Sequence, residues 1–281
     1  MGKIKKTLGT IGLWILLQIV AIVPYLIVAN IRDIDYMDLM APAMLVADLA
    51  VILVLWIIRY YKMKELGERV PLIVLLLALV LGFASFTAID ILAIPFQLSD
   101  NMAPFFNAMV KSFWGFLAIA IVGPVMEEIM MRRIILNEIA QATGKKWWGI
   151  LISALLFSLI HGNPIQIFFA LPAGILLGWL YCKTGRLIVP ICVHIMNNTF
   201  SFFAMRAGEQ SETNFTDLWT QVALYACLAA AVALIIWFNV YYSRHEINTD
   251  LPYEYEDKSV KVETEPAEEP AAAEPVEVTE Q

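Results

Sequence analysis

Three short motifs in the middle of this 281-residue sequence bring together side chains that can take a proton from water and stabilise a developing charge. They are Glu127-Glu128-x-x-x-Arg132, Phe157-x-x-x-His161 and His194-x-x-x-Asn198. In the first, Glu128 and Arg132 have the acid-first i,i+4 order of a helical ion pair. Glu127 is turned about 100° from its neighbour and faces a different partner. A carboxylate of that kind can serve as general base on water. His161, next to the helix breakers Gly162 and Pro164, can hold the same water or relay its proton. His194 and Asn198 lie one turn apart on one face and can donate hydrogen bonds to an oxyanion. Glu128 and Arg132 then form the support, although a Glu–Arg pair can also simply pin a helix bundle. A metal reading is open as well, with Glu127, His161 and His194 as three zinc ligands and a fourth position for water. No His-Glu-x-x-His motif favours it, so the expectation is a glutamate mechanism without a cofactor.

The elements that must position these residues are membrane helices. The sequence is 60% hydrophobic and 16% charged, against roughly 45–50% and 25% in soluble domains, and its mean hydropathy is +0.70. Crossing a bilayer takes about 20 apolar residues. Eight stretches qualify or come close: 10–29, 39–58, 70–94, 113–136, 147–161, 165–182, 187–205 and 218–242. The expected fold is therefore all-α, a polytopic bundle of about eight transmembrane helices. Ionisable groups at bilayer depth cost about 2.5–3.5 kcal/mol each on insertion scales, so those within the spans are functional candidates. At ~1.5 Å per residue, Glu127 lies about 9 Å and His194 about 10 Å from the cytoplasmic side, whereas His161 comes out about 21 Å deep. The fifth stretch, 15 residues from Trp147 to His161, is short for a full crossing and should end inside the membrane. Backbone broken at such depth has to meet protein or a water-filled cavity. Asp48 lies near the midplane and has no assigned role, and Asp90 lies near the outer interface. Gly174 and Gly178 form a small-xxx-small pair that reads as close helix packing.

Charge orients the bundle. With the N-terminus in the cytoplasm, Arg59, Lys62, Lys64, Arg69, Lys145, Lys146, Lys183, Arg186 and Arg244 all fall inside, and only Arg32, Lys111 and Arg206 fall outside. That alternation follows the positive-inside rule and puts both termini in the cytoplasm. The run from Thr10 to Ala29 is expected to be a retained first helix, and no lipidation motif is expected at either end. The net charge of −7 misleads: 12 acids and 3 bases lie from Arg244 onward, while residues 1–243 are close to neutral. Residues 1–245 should form the bundle. Residues 246–281, rich in Pro, Glu and Ala, should form a disordered tail with a possible docking role. Cys182, Cys192 and Cys227 lie in apolar stretches without a Cys-x-x-Cys partner, which speaks against a disulfide or thiolate framework. The sequence lacks an internal repeat, which weakens a transporter built of duplicated halves. A proton-coupled transporter would also spread its charges along a pathway.

The three motifs, in this order on successive membrane helices, resemble those of the CPBP (Abi) family of CAAX proteases and bacteriocin-processing enzymes. The stretch Gly178-Trp-Leu-Tyr-Cys-Lys-Thr-Gly185 leading to Pro190 and His194 is similar too, and the likeness covers roughly residues 113–205. Met131 and Arg133 depart from the Phe and Gly common at those flanking positions. The resemblance implies an intramembrane endopeptidase in which Glu127, Glu128, Arg132, His161, His194 and Asn198 form the site. It implies a hydrophobic or lipid-modified peptide as substrate, with trimming of prenylated ends in eukaryotic relatives and bacteriocin processing or self-immunity in bacterial ones. The depth of Glu127 and His194 puts the cut near the cytoplasmic face, and the small loops without an endoplasmic-reticulum retrieval signal point to a bacterial plasma membrane. Nucleic acid is not an expected partner. The competing reading is a non-catalytic scaffold that binds membrane partners.

Overall fold

The computed structural model describes residues 2–34, 36–67, 69–208, 214–245 and 249–251, and among them it contains helices and turns but no strand. The helices are α1 (Gly2–Arg32), α2 (Tyr36–Ile57), the short α3 (Met63–Leu66), α4 (Leu72–Ala93) and α5 (Ala103–Met109). They continue with the long rod α6 (Phe113–Thr143), then α7 (Lys146–Leu159), α8 (Pro164–Thr184), α9 (Ile188–Ala207) and α10 (Leu218–Arg244). Seven of them, α1, α2, α4, α6, α8, α9 and α10, are long and apolar enough to cross a membrane. The chain is thus a polytopic helical membrane bundle. The eighth expected crossing is the shorter α7, 14 residues, about 21 Å of helix against a ~30 Å hydrocarbon core.

The break that ends α7 meets protein. Gly162 takes a left-handed φ of +61°, which a residue without Cβ adopts at little cost, and Pro164 opens α8 as its first residue. Between them the fully buried Asn163 clasps the loop after α4. Its Oδ1 accepts from the Asn101 backbone N–H at 3.0 Å, and its Nδ2 donates to Asp100 Oδ1 at 2.8 Å. The Ile165 N–H adds a bond to the Ser99 carbonyl at 3.4 Å.

α6 runs through the middle of the bundle and is not uniformly wound. Two π-helical stretches, Phe116–Val122 and Ile129–Leu136, flank a short α-helical piece, Gly123–Glu128, which carries both glutamates. A π turn takes in an extra residue and rotates the face that follows it, a distortion frequent at functional sites. One buried cluster joins Met126, Ile129, Met130 and Ile134 of α6 to Val51 and Leu55 of α2, Ile150 of α7, Tyr181 of α8 and Ile191 of α9. A second unites α4, α8, α9 and α10 around Leu81, Leu177, Val193 and Phe238. Lipid tails leave no hydrophobic drive between helices, so close backbone approach does the joining. A Cβ on Gly174 of α8 would lie 3.0 Å from the Cβ of Ala154 on α7, which makes Gly174 part of that close packing. On the outer faces Ile15, Ile19, Leu53, Val80 and Ile236 are exposed as a lipid-facing belt, and Trp147 and Trp148 stand exposed at the start of α7.

At one end of the bundle Arg133 grips Glu65 of α3 through Nε and Nη2, and Lys183 donates to Asn239 at 2.8 Å. Part of the expected tail returns to this end. Leu251 is fully buried in the same cluster as Tyr61, Leu187 and Ile191, and Thr249 lies against Gly185. The rest of that segment, 246–248 and 252–281, lies outside the described residues.

Candidate active site

The site is built where α6 meets α9. Glu128 and Arg132 are both 0% exposed, and Glu128 Oε2 lies 3.0 Å from Arg132 Nε. The contact is an ion contact off the line of a good hydrogen bond, since neither atom satisfies hydrogen-bond geometry. Arg132 Nη1 and Nη2 also have no hydrogen-bond partner among the described residues, and the guanidinium rests over the Phe157 ring, 5.0 Å from its centroid. That cation–π contact offsets part of its desolvation. The ion pair anticipated from the i,i+4 spacing is therefore present, and it is closed off from water.

His194 projects from α9 into the gap between the two glutamates. Its Nδ1 lies 2.9 Å from Glu128 Oε1, and its Nε2 lies 3.6 Å from Glu127 Oε2. A carboxylate can only accept, so Nδ1–H donates to Glu128. Nε2 and Glu127 then attract each other only when a proton lies between them. The Glu127 side chain keeps 23% of its surface exposed whereas His194 keeps 8%, so Glu127 is the carboxylate that water can reach. The similar depths of Glu127 and His194 were legible from helix rise alone. The grip of Glu128 on His194 was not, because it depends on how α9 rotates against α6.

His161 is held differently. Its Nδ1 lies 2.7 Å from the Phe157 carbonyl one turn earlier in its own helix. A carbonyl can only accept, so Nδ1 carries the proton and Nε2 of the neutral ring is left to accept from water. The expected depth mismatch with His194 is bridged by Phe157, whose ring stands edge-on to His161 at 5.0 Å and to His194 at 5.7 Å. Asn198 donates through Nδ2 to the Ile119 carbonyl at 3.0 Å, inside the first π-helical stretch, and accepts from Asn197 at 3.3 Å. Of the six expected residues the structure brings Glu127, Glu128, Arg132 and His194 into direct contact; His161 meets His194 only through the Phe157 ring, and Asn198, one turn along α9, is bonded to the Ile119 carbonyl.

Among the described residues no three His, Cys, Asp or Glu side chains stand together as a metal site. Glu127, His161 and His194 are therefore not arranged as a shared ligand set among the described residues. The three cysteines are free and partly buried. Asp90 lies apart, lining a groove between α4 and α9 with Thr87, Asn197 and Ser201.

Comparison with known proteins adds a likeness, over part of the chain, to membrane proteases of the CAAX type. Residues 109–200 match the family model described as type II CAAX prenyl endopeptidase Rce1-like. YdiL of Bacillus subtilis (strain 168), which bears the name of a membrane peptidase, is 37% identical over 81 residues, 29% of this chain and 33% of its own length. The membrane-embedded CAAX protease MroQ of Staphylococcus aureus (strain USA300) is 33% identical over 89 residues, 29% of this chain and 35% of its own length. The chain thus spans about a third of each of these curated relatives. The segment 109–200 that matches the family model contains all three motifs. No solved structure gives a significant match.

Proposed function

We propose that the chain is an intramembrane endopeptidase that hydrolyses a peptide bond of a membrane-associated or lipid-modified substrate with water activated by Glu127. The observation that carries this reading is the bracketing of His194 by two glutamates, one locked to Arg132 and the other open to water. Glu127 takes a proton from water, the hydroxide oxygen bonds to the scissile carbonyl carbon, and charge collects on the carbonyl oxygen. Asn198 has a second N–H beyond the one it gives to Ile119, available to that oxyanion. The C–N bond then breaks and the proton passes from Glu127 to the leaving amine. His161 Nε2 accepts from the water and holds it for attack. Glu128 and Arg132 fix the ring of His194, and with it the proton between Nε2 and Glu127.

The alternation of Lys and Arg supports placing both termini and the cutting site toward the cytoplasm of a plasma membrane. The kinship with MroQ and YdiL supports a bacterial setting, and within it bacteriocin processing or self-immunity is the role in keeping with the motifs. The test is cleavage of a library of hydrophobic and lipidated peptides by the detergent-purified chain, with and without a zinc chelator. Wild type should cut, chelation should leave the rate unchanged, and Glu127→Gln should lower it by roughly 10²–10⁴-fold. Loss on chelation would move Glu127 and the histidines to a metal. Absence of cleavage, with Glu127→Gln fully competent in cells, would favour a scaffold.

A further inference from the structure

Asp48 belongs to none of the three motifs and lies outside the family-matched segment 109–200. It is 4% exposed in the middle of a membrane-spanning helix, a position that costs about 2.5–3.5 kcal/mol on insertion scales and is seldom occupied without use. Its Oδ1 accepts a hydrogen bond of 2.8 Å from Gln18 Nε2 on α1. Among the described residues Oδ2 has no hydrogen-bond donor. It points instead at α6, 3.8 Å from where a Cβ on Gly123 would lie. Gly123 is one helical turn before Glu127, on the same face of α6, so the Asp48 carboxyl stands against the face that carries the water-activating residue. Asp48 is close enough for its charge to act on Glu127, together with those of His194, Glu128 and Arg132.

Resting on the reading of Glu127 as the base, we infer that Asp48 is a positioning residue for it: the two carboxyl groups form a coupled pair across the α2–α6 interface that carries one negative charge, with Gln18 fixing Asp48 in place. The charge count favours this. Arg132 is matched by Glu128, so at most the one positive charge of a doubly protonated His194 is left for Asp48 and Glu127 together, and two carboxylates sharing a low-dielectric site do not both ionise cheaply. A single proton within the pair draws Glu127 toward α2 and fixes the oxygen that faces water. Asp48 takes no part in bond making. The water proton still goes to Glu127 and leaves on the amine.

The pair can be read without turnover. Dicyclohexylcarbodiimide, an apolar probe, adds to protonated carboxyl groups within membranes and, after O-to-N acyl shift, leaves a stable N-acylurea mass tag on the labelled residue. With the full chain in detergent at neutral pH, Asp48→Asn should slow tagging of Glu127 by roughly threefold or more, while Asp48→Glu should return it toward wild type. In the peptide assay Asp48→Asn should lower kcat by about tenfold with little change in KM. Unchanged tagging of Glu127 in a folded Asp48→Asn protein overturns the inference. Should Asp48→Asn fail to fold, Gln18→Ala carries the test: it frees Asp48 and should alter Glu127 tagging, and unchanged tagging there overturns the inference equally. Because tagging needs no substrate, wild type that tags as expected but cuts no peptide would sink the protease reading and leave the pair standing.

Discussion

His194 and His161 share one phenyl ring and are held by opposite means. His194 is gripped from another helix by charge: Glu128 on one ring nitrogen, Glu127 on the other, and Arg132 behind Glu128. It is 6% exposed. His161 is half-buried and held from within its own helix by the Phe157 carbonyl, beside a break tied down by Asn163. The first arrangement is stiff and exists only when α6 and α9 dock. The second is local and leaves Nε2 open. In the proposed mechanism the stiff ring of His194 fixes the neighbouring base, Glu127, while the open Nε2 of His161 holds the water, so a closed charged centre and an open polar edge complement each other.

The contrast can be tested at several strengths. Arg132→Met leaves the Glu128 carboxylate buried and unpaired, and breaking such a pair costs about 3–5 kcal/mol. Thermal unfolding in detergent should show that loss along with loss of cleavage, and an unchanged midpoint would mean that the centre is not closed. A smaller effect separates the histidines. His194→Ala should lower the unfolding midpoint, since it strands Glu128 at a cost of about 1–3 kcal/mol, while His161→Ala should leave the midpoint in place and slow cleavage alone. Equal destabilisation by both would erase the distinction. Smallest is Asn163→Ala, which unties the α7–α8 break from the loop at Asp100 and Asn101 for about 1–2 kcal/mol. Faster backbone hydrogen exchange at residues 99–102 should report it.

The residue types at work in both halves were legible before any fold was known. Glu127 and His194 could be matched in depth by helix rise, and the Glu128–Arg132 pair follows from i,i+4 spacing, because both depend on one helix at a time. The shortness of the stretch ending at His161 was legible too, as a count of residues against bilayer thickness. Phe157 was visible only as a motif letter. Its service as the platform for Arg132 and both imidazoles depends on three helices converging. Asn163 and Asp100 carried no signal, since nothing in a linear sequence pairs a turn with a loop 63 positions away.

By itself the sequence determined that this chain lives in a membrane, where its crossings lie and which side chains can do chemistry there. Those are matters of composition and of spacing along a single helix, which local backbone geometry settles. Only the tertiary structure decided that His194 sits between two glutamates, that Glu127 rather than Glu128 is open to water, that Leu251 returns to the core and that Asp48 faces the site. Each of these depends on how far one helix is rotated and how closely it approaches the next, set by the π-helical stretches of α6 and by glycines such as Gly174, where the absence of a single Cβ lets α8 close on Ala154 of α7.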